Sequence, residues 1–302
     1  MGTPDFSVPS LTTLIRDGQD IVAVVTAPDR PRGRGQEVSP TPVKETALRH
    51  SLPLLQPDDL RSPEFVQHLR ALAPDLFVVV AFRILPREVF SIPVLGAFNL
   101  HASLLPQYRG AAPINWAIIR GETVTGVTTF FLEEKVDTGN LLLQASIPIG
   151  PDEDAGTLHD RLAALGATVV LDTVRLIARG EARPRPQDSR LATPAPKIFR
   201  DDCHIRWDRP AAEIRNFIRG LSPSPAAFAR HRGKVVKLYR AGIVPGSPSG
   251  SPGQVTAADG VLRVSAADGD LAIQELQLEG RKRMGAEEFL RGYGVNSGDT
   301  FD

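Results

Sequence analysis

The sequence predicts a doubly wound α/β domain with a mostly parallel sheet, followed by a smaller domain built as a β-barrel. Three observations favour this fold class. Short apolar runs alternate with helical stretches as far as Gly180, prolines then interrupt the pattern, and short runs separated by turns follow. Alternation of strands and helices is typical of parallel sheets that carry helices on both faces.

The elements of the first domain follow from the spacing of apolar residues. Four stretches repeat apolar residues at helical spacing, which predicts helices over 7–17, 42–50, 63–72 and 156–180. Short runs that are nearly all apolar predict buried strands over 21–26, 76–81 and 97–100, and a weaker strand over 52–55. Ligands of such sheets bind beyond the carboxyl ends of the strands, and the strand over 97–100 leads directly into His101.

The second half of the chain has a different pattern. Prolines at 184, 186, 194 and 196 predict an extended linker, so the predicted division is a first domain over 1–180, a linker over 181–204 and a second domain over 205–302. The second domain is expected to contain one helix over 210–220 and short strands over 235–239, 260–264 and 271–273. The polar tail after Tyr293 is expected to be disordered.

The beginning of the chain departs from the expected pattern. Residues 2–6 resemble the loop that follows a first strand, yet no strand precedes them. A doubly wound sheet normally places its first strand centrally. We expect either a start codon recorded too far downstream or a fold without one core strand, and favour the former.

Composition limits the class of protein. The 302 residues are 42% hydrophobic, and 35 basic residues balance 35 acidic ones, which excludes a grossly basic protein. The single cysteine, Cys203, excludes an internal disulfide. No apolar run reaches the ~20 residues that span a bilayer, and no leader peptide is evident. We therefore expect a soluble cytoplasmic protein that does not associate with membranes. We also expect it to be a monomer.

One stretch carries residues suited to acyl transfer. Asn99 and His101 are two residues apart, so on a strand their side chains lie on the same face. An amide can stabilise an oxyanion while an imidazole transfers a proton. Asp137, in a Val-Asp-Thr-Gly turn, could polarise that imidazole. Each residue also has an ordinary structural interpretation: a polar strand end for the pair, and a turn or helix cap for Asp137.

The motifs taken together resemble a known family. Asn-x-His at 99–101, Ser-Leu-Leu-Pro at 103–106 and Asp-Thr-Gly at 137–139 are similar to those of the folate-dependent formyltransferases. Arg-Gly-Ala-Ala-Pro-Ile at 109–114 and the carboxy-terminal domain resemble the branch that formylates methionyl-tRNA. The similarity covers almost the whole chain. It departs from the family at Phe82-Arg83, where many relatives have Tyr-Gly beside the pterin pocket.

The resemblance implies a fold, a reaction and site residues. The fold is a Rossmann-like formyltransferase domain joined to an OB-like barrel that helps to hold tRNA, and no metal is required. The reaction transfers the formyl group of 10-formyltetrahydrofolate to the amine of initiator methionyl-tRNA in translation initiation. The implied site residues are Asn99, His101 and Asp137 for catalysis, Ser103, Leu104, Leu105 and Pro106 for folate, and Arg34 for tRNA.

Charge placement gives moderate support for an RNA partner. From Lys197 to Arg240 there are eleven Lys/Arg residues and four Asp/Glu residues, an excess that suits phosphate contacts. A solvated surface is the alternative. Other functions also stay open: a formyltransferase that acts on a sugar nucleotide or another small amine, a hydrolase of formyl-tetrahydrofolate, and a non-catalytic RNA-binding relative.

Overall fold

The helices of the protein occupy eight segments of a computed structural model that describes residues 1–32, 37–258, 260–296 and 298–302. They are α1 Val8–Arg16, α2 Pro42–Arg49, α3 Pro63–Ala71, α4 Arg87–Phe90, α5 Pro113–Ile119, α6 Ala155–Ala178, α7 Ala211–Leu221 and α8 Ala286–Gly292. Side-chain hydroxyls cap two of them, because Thr41 accepts from the Lys44 N–H and Ser62 from the Phe65 N–H. No helix in the described part of the chain is long and apolar enough to cross a membrane.

The strands fall into two groups along the chain. The first group comprises β1 Val24–Val25, β2 Arg30–Arg32, β3 Glu37–Ser39, β4 Leu54–Leu55, β5 Phe77–Val80, β6 Ala97–His101, β7 Arg109–Gly110, β8 Val124–Phe131, β9 Leu141–Pro148 and β10 Pro194–Ala195. The second group comprises β11 Ala227–His231, β12 Lys234–Val244, β13 Val255–Ala258, β14 Val261–Ser265, β15 Asp270–Leu278 and β16 Met284–Gly285.

The chain divides into two compact units. The first contains residues 1–110, 125–147 and 159–195, and the second contains residues 111–124, 148–158 and 196–302. Residues 188–191 include a short 3-10 turn, and residues as far as Ala195 belong to the first unit. The boundaries expected at 180 and 204 remain predictions.

The first unit is built on a four-stranded sheet in the order β5-β6-β8-β9. β5 and β6 are parallel, and β6 and β8 are antiparallel. Both faces of β5 are largely buried because its side chains are aromatic or β-branched throughout, which also favours the extended conformation. The predicted α/β fold class with a carboxy-terminal β domain is confirmed.

Met1 and Gly2 connect this sheet to a separate parallel pair, β1-β4. The Met1 amine donates to the Val78 carbonyl at 2.7 Å, and Val80 donates to the Met1 carbonyl at 2.9 Å. On the other side, the Gly2 N–H donates to the Val25 carbonyl at 3.0 Å. Next to this connection lies a cavity of about 310 Å³, which is lined mostly by apolar residues and includes residues of β1 and β5. The two residues thus occupy a strand position between β1 and β5.

The strand expected over 21–26 is paired only at Val24–Val25. Residues 21–23 instead line the cavity. The predicted strand was therefore too long, because an apolar run indicates burial but does not show whether a neighbouring strand is present to pair with it. The helices α5 and α8 and the strands β8 and β9 were not predicted. Their sequences mix apolar and polar residues without a clean period of 2 or 3.6, so pattern alone did not identify them.

The second unit is an antiparallel sheet in the order β11-β12-β15-β14-β13, with β16 paired to β15. Its core includes the side chains of Ile218 from α7 and Phe289 from α8. The expectation of a disordered tail is wrong for the described residues. Phe301 is 1% exposed in this core, and backbone hydrogen bonds join Asp302 to Arg230 in both directions.

Candidate active site

Strand β6 places Asn99 and His101 at its carboxyl end, with Cα partners Phe130 and Thr128 on β8. Residues at positions i and i+2 of a strand point to the same face. The His101 side chain is 6% exposed. Asn99 is half-buried, and its amide has no hydrogen-bond partner in the described part of the chain. An amide in that state is available to a ligand.

The His101 ring is held on two sides. Its Nε2 atom lies 2.8 Å from the Tyr108 carbonyl oxygen, and since a carbonyl only accepts, Nε2 is the donor. Its Nδ1 atom lies 3.8 Å from Asp137 Oδ2, within ion-pair range when the ring is protonated. The structure therefore brings His101 and Asp137 together, as the sequence interpretation required.

Asp137 lies in the loop between β8 and β9 and is 7% exposed. Its backbone has φ of 57°, in the left-handed region that side chains other than glycine rarely occupy. Its Oδ2 atom accepts a hydrogen bond from the Gly110 N–H at 2.9 Å. Gly110 itself requires glycine, because its φ is +129° and a Cβ would lie 2.4 Å from the Ala195 carbonyl oxygen.

Side-chain hydrogen bonds fix the backbone of the segment 103–106. The Ser103 hydroxyl donates to the Gln107 carbonyl at 2.6 Å, and the Thr128 hydroxyl donates to the Ser103 carbonyl at 2.6 Å. The same Thr128 oxygen accepts from the Leu105 N–H at 3.1 Å, and the Gln144 amide donates to the Leu105 carbonyl at 2.8 Å. Leu105 is buried, whereas Leu104 and Pro106 are half-buried, so these two remain partly available to a ligand.

Two further positions singled out in the sequence are Arg34 and Phe82-Arg83. Arg34 lies outside the described residues, so its role with tRNA stays a prediction. At Phe82-Arg83, the Arg83 guanidinium donates to the carbonyls of Pro57 and Asp58 and lies 5.5 Å from the Phe82 ring centroid. The described residues contain no group of three His, Cys, Asp or Glu that could hold a metal ion.

Sequence reasoning missed four residues that surround the candidate trio. Tyr108 and Gly110 lie within the motif-bearing stretch, so their positions were visible although their roles were not. Gln187 and Thr193 lie in the predicted linker and gave no signal, because their contacts join residues 48 to 85 positions apart.

Comparison with known proteins decides the family. The sequence profile described as formyl transferase matches residues 1–174, and the profile of the formyl transferase carboxy-terminal domain matches residues 197–294. The chain belongs to the formyl transferase family. It is 48% identical over 301 residues to the methionyl-tRNA formyltransferase of Geobacter sulfurreducens, which covers 99% of this chain and 94% of the relative.

Two further proteins are similar to this chain, one in sequence and one in fold. The methionyl-tRNA formyltransferase of Bacteroides fragilis is 47% identical over 303 residues, covering 97% of this chain and 94% of that one. An N-formyltransferase from Helicobacter canadensis, solved with folinic acid and dTDP-3-aminofucose, has the same fold. Its TM-score is 0.68 at 20% identity, covering 90% of this chain and 97% of that one.

The second unit of this formyl transferase carries a set of exposed cations. Several arginines of the basic segment are already occupied, since Arg206 pairs with Asp208, and Arg232 pairs with Asp299. Six exposed cations have no carboxylate partner in the part of the chain that the structure describes: Lys197, Arg200, Arg209, Arg230, Lys234 and Arg240. The basic segment therefore offers fewer free charges than its composition suggests.

Proposed function

We propose that this formyl transferase moves the formyl group of 10-formyltetrahydrofolate to the α-amino group of initiator methionyl-tRNA, giving N-formylmethionyl-tRNA for translation initiation. The observation that carries the proposal is the 48% identity to a methionyl-tRNA formyltransferase along 99% of the chain. The candidate trio adds support from geometry, since a polar amide without a partner lies two residues from a histidine that contacts a carboxylate.

In the proposed reaction, the free amine of the methionyl group attacks the formyl carbon. A new C–N bond forms, and the carbonyl oxygen becomes an oxyanion in a tetrahedral intermediate. Asn99 donates to that oxygen, which is worth about 3 kcal/mol at sites of this kind, and the positive charge of protonated His101 stabilises the negative charge that develops there. Asp137 orients His101 and accepts the proton of the amine through water. Collapse breaks the bond to N10, which takes up this proton from Asp137 through the same water as tetrahydrofolate leaves.

The folate donor is assigned to the segment Ser103–Pro106. Four side-chain hydrogen bonds hold this backbone beside His101. A segment fixed before binding loses little conformational entropy when a ligand is bound. The free-energy cost of positioning the ligand is therefore smaller than for a mobile loop. Its half-buried side chains, Leu104 and Pro106, offer apolar contact to a pterin ring.

The tRNA is assigned to Arg34 and to the six free cations of the second unit. Such cations neutralise phosphates and release counterions, which gives affinity without reading sequence. We expect Arg34→Ala to weaken tRNA binding.

The test is an acceptor assay with purified protein and 10-formyltetrahydrofolate. Initiator methionyl-tRNA, elongator methionyl-tRNA, an amino-sugar nucleotide and water are compared as acceptors. Formylation of initiator methionyl-tRNA above the others supports the proposal. Preference for the amino sugar, or release of formate alone, would replace it by the corresponding alternative.

A further inference from the structure

The segment Gln187–Ala195 returns to the candidate site after α6 and contacts it at two places. We call this segment the brace. Its strand β10 pairs in parallel with β7, so that Ala195 lies beside Gly110. The brace falls within the part of the chain that its composition marked as a linker.

Gln187 fixes the loop that carries Asp137. Its Nε2 atom donates to the Asp137 carbonyl at 3.0 Å and to the Gly139 carbonyl at 2.8 Å. Its Oε1 atom accepts from Arg109 Nη2 at 2.7 Å. One amide therefore connects the backbone of the aspartate to the residue before Gly110, whose N–H binds the aspartate side chain.

Thr193 fixes the other partner of the histidine. Its hydroxyl oxygen accepts from the Tyr108 N–H at 2.9 Å, and its carbonyl accepts from the Arg109 N–H at 2.9 Å. The Tyr108 carbonyl in turn accepts from His101 Nε2. Tyr108 and Asp137, the two residues that contact the imidazole, are therefore both hydrogen-bonded to the brace.

The two residues held by the brace have uncommon backbone conformations. Tyr108 has φ of 60° and Asp137 has φ of 57°, both in the left-handed region. A bulky residue in that region costs about 1–3 kcal/mol and persists only where its surroundings determine it. The hydrogen bonds of Gln187 and Thr193 supply such surroundings.

We propose that Gln187 and Thr193 are positioning residues for the formyl transfer: Gln187 sets the Asp137 carboxylate, and Thr193 sets the Tyr108 carbonyl that fixes the His101 tautomer. Neither contacts the reacting atoms. This inference rests on the proposed function, in which His101 and Asp137 act on the formyl group and the amine.

The first experiment compares steady-state kinetics of Gln187→Ala, Thr193→Val and Thr193→Ser with the unmodified protein. Displacement of a catalytic group by about 1 Å costs about a hundredfold in rate, so kcat should fall about tenfold to a hundredfold in the first two variants. The KM for methionyl-tRNA should stay within about twofold, since uniform binding is unchanged. Thr193→Ser retains the hydroxyl and should retain most of kcat.

The control is Gln67→Ala, which changes an exposed glutamine on α3 whose side chain makes no hydrogen bond among the described residues. It should leave kcat unchanged. A purely structural role predicts a lower melting temperature with kcat and the pH profile intact, and that result for Gln187→Ala would overturn the proposal. A double mutant with Asp137→Asn adds a second criterion, because residues that act through one another give non-additive losses.

A second readout does not depend on activity. Imidazole ¹⁵N NMR should show His101 with its proton on Nε2 in the unmodified protein, and a mixture of tautomers in Thr193→Val but not in Gln67→Ala. An unchanged tautomer in Thr193→Val would overturn the role of Thr193. If the acceptor assay fails while this signature changes as expected, the proposed function is wrong but the brace is retained.

Discussion

His101 contacts two residues that the chain holds in left-handed backbone conformations, Tyr108 and Asp137. Residues in such conformations concentrate at functional sites, where the surrounding structure offsets their cost. The free Asn99 amide on the same face of β6 is the other departure from ordinary packing. These local irregularities are what distinguish the candidate site from the rest of the sheet.

The first prediction concerns the trio. We expect Asn99→Ala and His101→Ala each to lower kcat by about a hundredfold to a thousandfold, since each removes a group that stabilises the developing oxyanion. Asp137→Ala should also lower kcat strongly. Filter binding of methionyl-tRNA should stay close to that of the unmodified protein in all three. A His101→Ala variant that retains activity would contradict the assignment.

At this scale, the sequence predicted what is local. Asn99 and His101 could be placed on one face because a strand alternates its side chains every residue. The approach of Asp137 to His101 joins residues 36 positions apart, and spacing alone does not determine such a distance. Gln187 could not be identified, because its proposed positioning role depends on hydrogen bonds to backbone carbonyls. Every residue type carries such a carbonyl, so the sequence does not show where these bonds form.

Among the elements, the carboxy-terminal tail differs most from the sequence expectation. A polar composition predicted disorder, yet the tail adds Phe301 to the core of the second unit, where its ring lies 6.4 Å from that of Trp207 and 5.5 Å from that of His231. One apolar side chain in a favourable place thus outweighed the average composition of the segment.

The second prediction follows from this packing. Replacing a buried phenylalanine with alanine removes its transfer free energy and leaves a cavity, at a cost of about 3–5 kcal/mol. We expect Phe301→Ala to lower the free energy of unfolding by that amount, measured by urea denaturation. Thr300→Ala is a neighbouring control and should have a much smaller effect. Equal effects of the two variants would indicate that the tail does not pack as described.

The turn that precedes β13 is anchored by Asp270. Its carboxylate accepts from the Ser249 N–H at 3.1 Å and from the Ser265 hydroxyl at 2.8 Å. Burial acts to raise the pKa of Asp270, but the hydrogen bonds from Ser249 and Ser265 and the charge of Arg263 outweigh burial and lower it below its usual 3.8. Residues 245–253, which are all Gly, Ser or Pro, are thus attached to β15 through Asp270.

The third prediction is a pH dependence of stability. A carboxyl whose pKa is lower in the folded state stabilises that state above its unfolded pKa of 3.8. The contribution is lost as the pH falls through the folded pKa. Asp270→Asn should therefore lower the free energy of unfolding at pH 7, and its difference from the unmodified protein should shrink below about pH 4. Urea denaturation at several pH values measures this, and a constant difference would contradict it.

In the whole molecule, the cavity beside Met1 and Gly2 is lined by residues of β1 and of β5, which belong to two separate sheets. These two residues make hydrogen bonds to strands on both sides, and apolar side chains such as Leu14 and Leu69 line the cavity next to them. Unfilled apolar volume costs about 24 cal/mol per Å³ in measured core substitutions.

The fourth prediction tests the cavity. A variant extended ahead of Met1 by about five apolar, β-branched residues should place a parallel strand between β1 and β5. We expect its melting temperature to rise by about 5 °C or more, because the strand fills the cavity and pairs backbone groups of both edges. An extension of equal length made of Gly and Ser is the control. Equal melting temperatures for the two extensions would show that the cavity does not accept a strand.

The fifth prediction concerns RNA binding by the whole protein. If the six free cations contact phosphates, affinity for tRNA should fall by about a hundredfold or more between about 50 mM and about 200 mM salt. Arg230→Glu and Arg240→Glu should each reduce the salt slope by about one. Arg70→Glu, an exposed change on α3 in the first unit, should leave it unaltered. A flat salt response would count against the assignment.

The brace also determines when the site can be completed. A nascent chain that has folded as far as Ala178 already contains Asn99, His101 and Asp137, but it lacks the residues that hold their neighbours. The site becomes complete only when Ala195 has joined Gly110, across 85 residues of chain. Closing a loop of that length is slow compared with forming a helix or a hairpin. We therefore expect the candidate site to be among the last parts of the first unit to become complete, after most of the core has formed.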